Sequence, residues 1–266
     1  MLRKLLKKQV QNPQRKNNTG WGHVSNWYDE VVEDNDSYQE QVIKPNLIRL
    51  VDAKKGDKIL DLACGQGFFS RVLSGLGALV TGVDIGKELI ELAKEKSPKE
   101  IRFLNSSADD LKILKDKEFD KVICVLAMQN IENMQKTISE TSRVLKSGGS
   151  FYLILNHPFI RIPQKSSWGF DESVNVQYRR LDSYMSEFKS EIVMNPGESK
   201  RKQVSTFSFH RPLQVYTKAI AKAGLMIGRI EEWISHKESS PGPRKLAEDR
   251  SRKEFPMFMA IECKKI

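Results

Sequence analysis

The chain has 266 residues, 39% of them hydrophobic, enough to bury a full core as one domain or as one domain with an insertion. Its formal net charge of +10 attracts acidic partners non-specifically, which leaves weak affinity for nucleic acid or a membrane surface open without establishing either. No apolar run reaches the about 18 residues of a membrane span, and the three cysteines sit in or beside apolar segments, as reduced thiols of a cytoplasmic protein do.

Residues 1–20 read as a basic, flexible arm. Leu2, Leu5, Leu6 and Val10 would share one face of a short helix among Arg3, Lys4, Lys7 and Lys8, and Pro13 ends it. An anionic-surface anchor or RNA-touching arm is one reading and a frayed, solvated terminus the other; the long apolar core and cleavage site of a secretory signal are absent. From residue 21 to 266 a single domain is expected, opening with one or two helices over Trp21–Leu50.

The next stretch organises everything after it. Lys58–Ala63 is an apolar strand interrupted by Asp61, Gly65-Gln66-Gly67 is a tight turn, and Phe68–Leu76 has helical periodicity. Glycines there let the backbone turn sharply and let a ligand lie against bare main chain at a helix start. A second strand, Leu79–Asp84, ends in a carboxylate about 20 positions on, where doubly wound folds accept ribose hydroxyls. Ser70 stands where a dinucleotide site wants a third glycine or alanine, and no phosphate-loop Gly-Lys-Ser/Thr follows. Asp61 would repel a pyrophosphate and attract an ammonium or sulfonium group, so the expected ligand is a cationic nucleoside.

Further on, strand and helix alternate: helix Lys87–Lys96, strand Ile101–Ser106, strand Phe119–Leu126, helix Asn133–Lys146 and strand Ser150–Asn156. That alternation predicts a parallel sheet covered by helices on both faces. The segment 159–210 breaks the rhythm and reads as an inserted cap with a hairpin about Asn195-Pro196-Gly197-Glu198. Its aromatics Trp168, Phe170, Tyr178, Tyr184 and Phe188 suit either a flat or apolar acceptor or a small satellite core. Helix Leu213–Ala223 and strands Leu225–Ile234 and Phe255–Cys263 complete the chain, with a surface loop or short helix over His236–Glu254 between the two strands.

Ile59 to Gly67, Val83-Asp84-Ile85, Ala108-Asp109-Asp110-Leu111 and Phe119 to Ile123 resemble, in order, the motifs of class I S-adenosylmethionine-dependent methyltransferases of the broad small-molecule type. The resemblance implies a Rossmann-like, mostly parallel seven-stranded sheet with its last strand antiparallel, and S-adenosylmethionine as cofactor. It implies cofactor contacts at Asp61, Gly65, Gly67, Asp84, Ile85 and Leu126. Ala108 and Asp109 would reach the adenine, with Ser107 where the family has an acid. Trp27-Tyr28-Asp29 resembles an aromatic-acid signature that makes Tyr28 a lid residue near the methionine end; plain core is its other reading.

Methyl transfer needs alignment, plus a base when the acceptor loses a proton. His157, after the fifth strand, and His210 are the candidate bases; His157 could equally cap its strand and hydrogen-bond the turn. Arg211 is a candidate for a substrate carboxylate or phosphate. The Asn/Asp-Pro-Pro-aromatic element of base N-methyltransferases is missing after the fourth strand, which favours a small-molecule methyl acceptor over nucleic acid. An RNA methyltransferase and a non-catalytic S-adenosylmethionine-binding protein remain the alternatives. No Cys-x-x-Cys or His-Glu-x-x-His spacing suggests a metal, and the oligomeric state stays open.

Overall fold

The computed structural model describes residues 34–194 and 204–266. The basic arm, Tyr28 and the turn at Asn195–Glu198 lie outside the described residues.

A seven-stranded sheet forms the centre. Its strands are β1 (Lys58–Leu62), β2 (Leu79–Asp84), β3 (Arg102–Asn105), β4 (Phe119–Val125), β5 (Leu145–Asn156), β10 (Leu225–Trp233) and β11 (Phe258–Lys265), in the order β10-β11-β5-β4-β1-β2-β3. β1 pairs parallel with β2 and β4, and β4 with β5, whereas β11 runs antiparallel to both β5 and β10. The sheet grows in one direction from β1 to β3 and in the other from β4, so the carboxyl ends of β1 and β4 flank the crevice where such sheets bind ligands.

Successive strand residues go to opposite faces. Leu60, Val122, Cys124, Phe151 and Leu153 pack on one side against helices α4 (Met134–Val144) and α5 (Leu213–Lys222). Ile59, Ile123, Tyr152 and Ile154 pack on the other with α1 (Lys44–Val51), α2 (Phe68–Gly75) and α3 (Lys87–Lys96). Burying such a side chain fully contributes roughly 1.5–3 kcal/mol, which is why the later halves of β4 (122–125) and β5 (151–155) read as unbroken apolar runs. Parity also puts Asp61 on the Ile59 face, beneath α2. A carboxylate is thereby placed inside an apolar layer.

A single π-type turn, Gln39–Ile43, leads into α1. The fifth strand begins earlier than its sequence suggests, at Leu145, because backbone pairing of Phe119 with Leu145 extends the ladder past an irregularity near Gly148-Gly149. After β5 the chain leaves the sheet for two hairpins: β6 (Ser166–Asp171) with β7 (Val176–Leu181), and β8 (Phe188–Val193) with β9 (Ser205–His210). The first hairpin is not evident in the sequence. Gly169 sits opposite Tyr178, and a Cβ there would lie 2.4 Å from the tyrosine ring, so the ring covers the glycine instead of entering a core. Helix α6 (Lys245–Glu254) fills the segment between β10 and β11. No helix among the described residues is long and apolar enough to cross a membrane.

Candidate active site

The turn after β1 is built from left-handed backbone. Ala63, Gly65 and Gly67 have φ of 58°, 55° and 83°, a region glycine enters freely and alanine only under constraint. Cys64 N–H donates to Val83 O at 3.0 Å, pulling the turn across the end of β2. Gly65 N–H donates to Asp84 Oδ2 at 3.0 Å, and Gly67 N–H to Cys64 O at 3.0 Å. Both glycine amides are therefore satisfied within the protein, and the turn offers a ligand its bare main-chain surface.

Two buried carboxylates stand under this turn. Asp61 accepts the Ser70 hydroxyl at 2.6 Å; burial first, and then the negative charge of Asp84, push its pKa up to about 7 despite that bond. Asp84 accepts Gly65 N–H and, at 2.7 Å, Gly86 N–H; burial still raises its pKa. Half-buried Ile85 follows, its carbonyl held by Asn105 Nδ2 at 2.9 Å. Gln39, Asp61, Gly65, Gln66, Phe69 and Leu126 line a narrow cleft above the turn. Gln66 lines this cleft and is buried; its Oε1 accepts Arg71, and its Nε2 has no partner among the described residues.

Beyond β3, Ser106 N–H bonds Asp84 O at 3.0 Å, which fixes the segment carrying Ala108 and Asp109 beside the same strand ends. Ala108 is buried in the core. Asp109 accepts the Ser107 hydroxyl at 2.5 Å and Asn133 Nδ2 at 2.9 Å. Burial would raise its pKa, but these bonds and the charge of Lys136 outweigh that and hold it low. Ser107 therefore orients Asp109 as well as standing where the acid was expected.

A second, larger cavity of about 290 Å³ opens over the ends of β4 and β5, beneath the hairpins. Leu126, with φ 53°, bonds Ile154 O through its N–H and takes Gln129 Nε2 on its carbonyl at 2.5 Å, so the cleft and the cavity share one wall. Gln129 Oε1 is buried with no partner among the described residues. His210 lines the cavity; its Nε2–H donates to Tyr184 O at 2.8 Å, which leaves Nδ1 with the lone pair. Phe188 stacks on it at 5.0 Å.

His157 sits differently. Nδ1 accepts Ile160 N–H at 3.3 Å and Nε2 meets Glu232 at 2.6 Å, while burial lowers its pKa against the pull of Glu232. Both nitrogens are in use and it does not line the cavity, so of its two readings the geometry supports the turn-holding one. Arg211 is buried and spends its guanidinium on the carbonyls of Ile131 (2.9 Å) and Glu132 (2.8 Å). None of the five cap aromatics lines the cavity: Trp168 lies under Arg179 at 5.0 Å, Phe170 under Arg244 at 4.4 Å, and Tyr184 meets Phe159 edge-on at 5.0 Å.

Residues the sequence did not single out are Gln39, Gln66, Gln129, Arg161 and Arg179. Only Gln66 carried a signal, as the middle residue of Gly-x-Gly. The others come together through the fold.

Residues 60–153 match the methyltransferase domain family. A ubiquinone biosynthesis O-methyltransferase of Coxiella burnetii is 32% identical over 124 residues, 44% of this chain and 53% of that protein. A demethylmenaquinone methyltransferase of Tropheryma whipplei is 30% identical over 115 residues, 41% of this chain and 46% of that one. The chain thus spans about half the length of the curated relatives it matches. Among solved structures, an S-adenosylmethionine-dependent methyltransferase from Mesorhizobium loti has a TM-score of 0.67 at 22% identity, covering 83% of this chain and 96% of that chain. PH0226 protein from Pyrococcus horikoshii has a TM-score of 0.56 at 21% identity, covering 91% and 99%. Both share the fold.

Proposed function

We propose that this chain, whose residues 60–153 match the methyltransferase domain family, is an S-adenosylmethionine-dependent methyltransferase acting on a small-molecule acceptor. The observation that carries the reading is the shared wall at Leu126 and Gln129, which joins a cleft suited to a cationic nucleoside to a separate cavity of about 290 Å³. One compartment suits a donor and the other an acceptor.

The cleft fits S-adenosylmethionine by its own chemistry. Asp61, poised near neutrality by burial, gains a counter-charge from a sulfonium or ammonium group. Asp84, which accepts Gly65 and Gly86 N–H and keeps lone pairs free, would hold the ribose hydroxyls, and Ala108 and Asp109 would hold the adenine. When bound, the cofactor supplies a methyl group on a sulfonium sulfur, which an acceptor lone pair takes while sulfur keeps the bonding pair. The protein's part is alignment, with exclusion of water by the hairpins. His210, its tautomer fixed by Tyr184 O, takes the acceptor's proton on Nδ1. Three unpaired thiols support a reducing, cytoplasmic setting.

Calorimetric titration with S-adenosylmethionine and its demethylated product, with NADH as control, tests the cofactor. Micromolar-range binding of the first two alone is expected; binding of NADH instead would overturn the reading. Transfer of a labelled methyl group to members of a small-molecule pool, and not to RNA, tests the acceptor class.

A further inference from the structure

The cavity beneath the hairpins presents positive charge that no carboxylate among the described residues answers. Arg161, Arg179 and Arg211 line it from three separate segments, and no aspartate or glutamate is among its lining residues. Arg211 is committed to backbone carbonyls. Arg161 is not, and Arg179 gives only its Nε to one. Arg161 Nη1 donates to Asn156 Oδ1 at 2.8 Å. Arg179 donates through Nε to Ile160 O at 3.1 Å and through Nη2 to Ser166 Oγ at 2.7 Å, with its guanidinium over Trp168. Neither meets a carboxylate among the described residues, whereas Arg143, Arg49 and Arg244 pair with Asp116, Glu231 and Glu172.

Two guanidinium groups that line one cavity and meet no carboxylate among the described residues repel each other, a cost that a bound anion removes. Arg161 is exposed where it lines the cavity; the protein around its guanidinium lowers its pKa, Tyr38 opposes that, and the like charge of Arg179 lowers it further. The planar fork of arginine matches a carboxylate or phosphate oxygen pair. On the β4 side of the same cavity stand Gln129 Oε1, buried and lacking a donor, and the lone-pair nitrogen of His210. One side asks for an anion and another for an O–H or N–H.

We infer that the acceptor is a small organic anion, its carboxylate or phosphate held by Arg161 and Arg179 and its hydroxyl or amine directed to Gln129 and His210. This rests on the cavity's being the acceptor compartment of the proposed methyltransferase. Asn156 holds Arg161 in place, and Ser166 and Trp168 hold Arg179. Both cations therefore start near their binding positions.

The test titrates the full chain with benzoate, phenyl phosphate and the neutral isostere benzamide, with S-adenosylmethionine measured in parallel. One or both anions should bind roughly ten- to hundredfold tighter than benzamide, as charge-assisted hydrogen bonds predict. R161Q and R179Q should each remove most of that preference and leave cofactor affinity unchanged. R179K, which keeps the charge and loses the fork, should bind phenyl phosphate at an intermediate level, and this holds the test open if R179Q unfolds. Equal affinity for anions and benzamide, no saturable binding of either anion, or folded variants with an unchanged preference would overturn the inference while the methyltransferase reading stood. Failure of S-adenosylmethionine to bind would overturn that reading by itself.

Discussion

The hydroxyl of Ser70 donates to the carboxylate of Asp61 at 2.6 Å with both side chains buried beneath α2. One hydrogen bond does not offset the loss of water, so Asp61 rests near the middle of its titration at neutral pH, with a pKa of about 7. The folded protein holds this proton more tightly than the unfolded chain, whose value is 3.8. The group therefore favours the fold below that value and opposes it progressively as pH rises toward about 7, with the cost level above.

The ligand-free protein should accordingly gain thermal stability from Asp61→Asn at about pH 8 and gain little at about pH 4. The gain at the higher pH should be a few kcal/mol, since each tenfold change in proton affinity between folded and unfolded chain is worth roughly 1.4 kcal/mol. A cationic cofactor prefers the ionised carboxylate, so its affinity for the native protein should climb as pH rises to about 7 and level off above it. Calorimetry in buffers of different ionisation enthalpy should register proton release below that pH. A flat affinity across the same range would separate Asp61 from the cofactor's charge.

Asp84 holds the cofactor turn and is assigned to the ribose, so its substitutions should not be equivalent. Asp84→Ala orphans Gly65 N–H and Gly86 N–H and should weaken S-adenosylmethionine binding roughly ten- to hundredfold, with a loss of melting temperature. Asp84→Asn keeps one acceptor and should lose less of both. Unchanged cofactor binding in the alanine variant would refute the assignment.

Gly82 is required by packing alone. A Cβ there would lie 2.6 Å from Phe103 Cδ1 and 2.9 Å from Cys64 Sγ. Gly82→Ala should cost about 1–3 kcal/mol by overpacking. Phe103→Leu in the same chain should return part of it, and a double-mutant cycle in urea would show the coupling. Additive losses would mean that Phe103 is not the obstacle.

The two histidines should part company in kinetics. His210→Gln, which can still donate to Tyr184 O, should lower kcat by roughly 10²–10⁴ for an acceptor that loses a proton, with cofactor affinity kept. His157→Gln should leave kcat nearly intact and cost about 1–3 kcal/mol of stability. Burial keeps His157 neutral in the fold, so its contribution is present above its ordinary value of 6.5 and is lost as pH falls below it. The variant's stability should therefore slope less on the acid side. The reverse pattern of kcat losses would exchange the roles.

The strand segments of the parallel sheet, the glycine turn and its two carboxylates were legible because each follows from local pattern. Apolar runs too short for buried helices and bounded by glycines give parallel strands, and an acid at the end of a buried strand has few uses other than ligand binding. The pairing that makes the sheet buries consecutive residues on opposite faces, so the sequence of β4 already encoded both layers.

Tertiary structure decided everything that depends on residues far apart in the chain. Arg161, Arg179, Gln129 and His210 belong to different segments, and only the fold of the hairpins over β4 and β5 brings them to one cavity. His157 reads as a base because a histidine after the fifth strand lies near the ligand end; in the fold Glu232, 75 residues on, takes its Nε2. Arg211, a fair anion ligand in sequence, was claimed by the carbonyls at the end of the β4 loop. Local spacing fixes which backbone turns can form, but a side chain's chemistry is set by which partners reach it first, and those partners are chosen by packing.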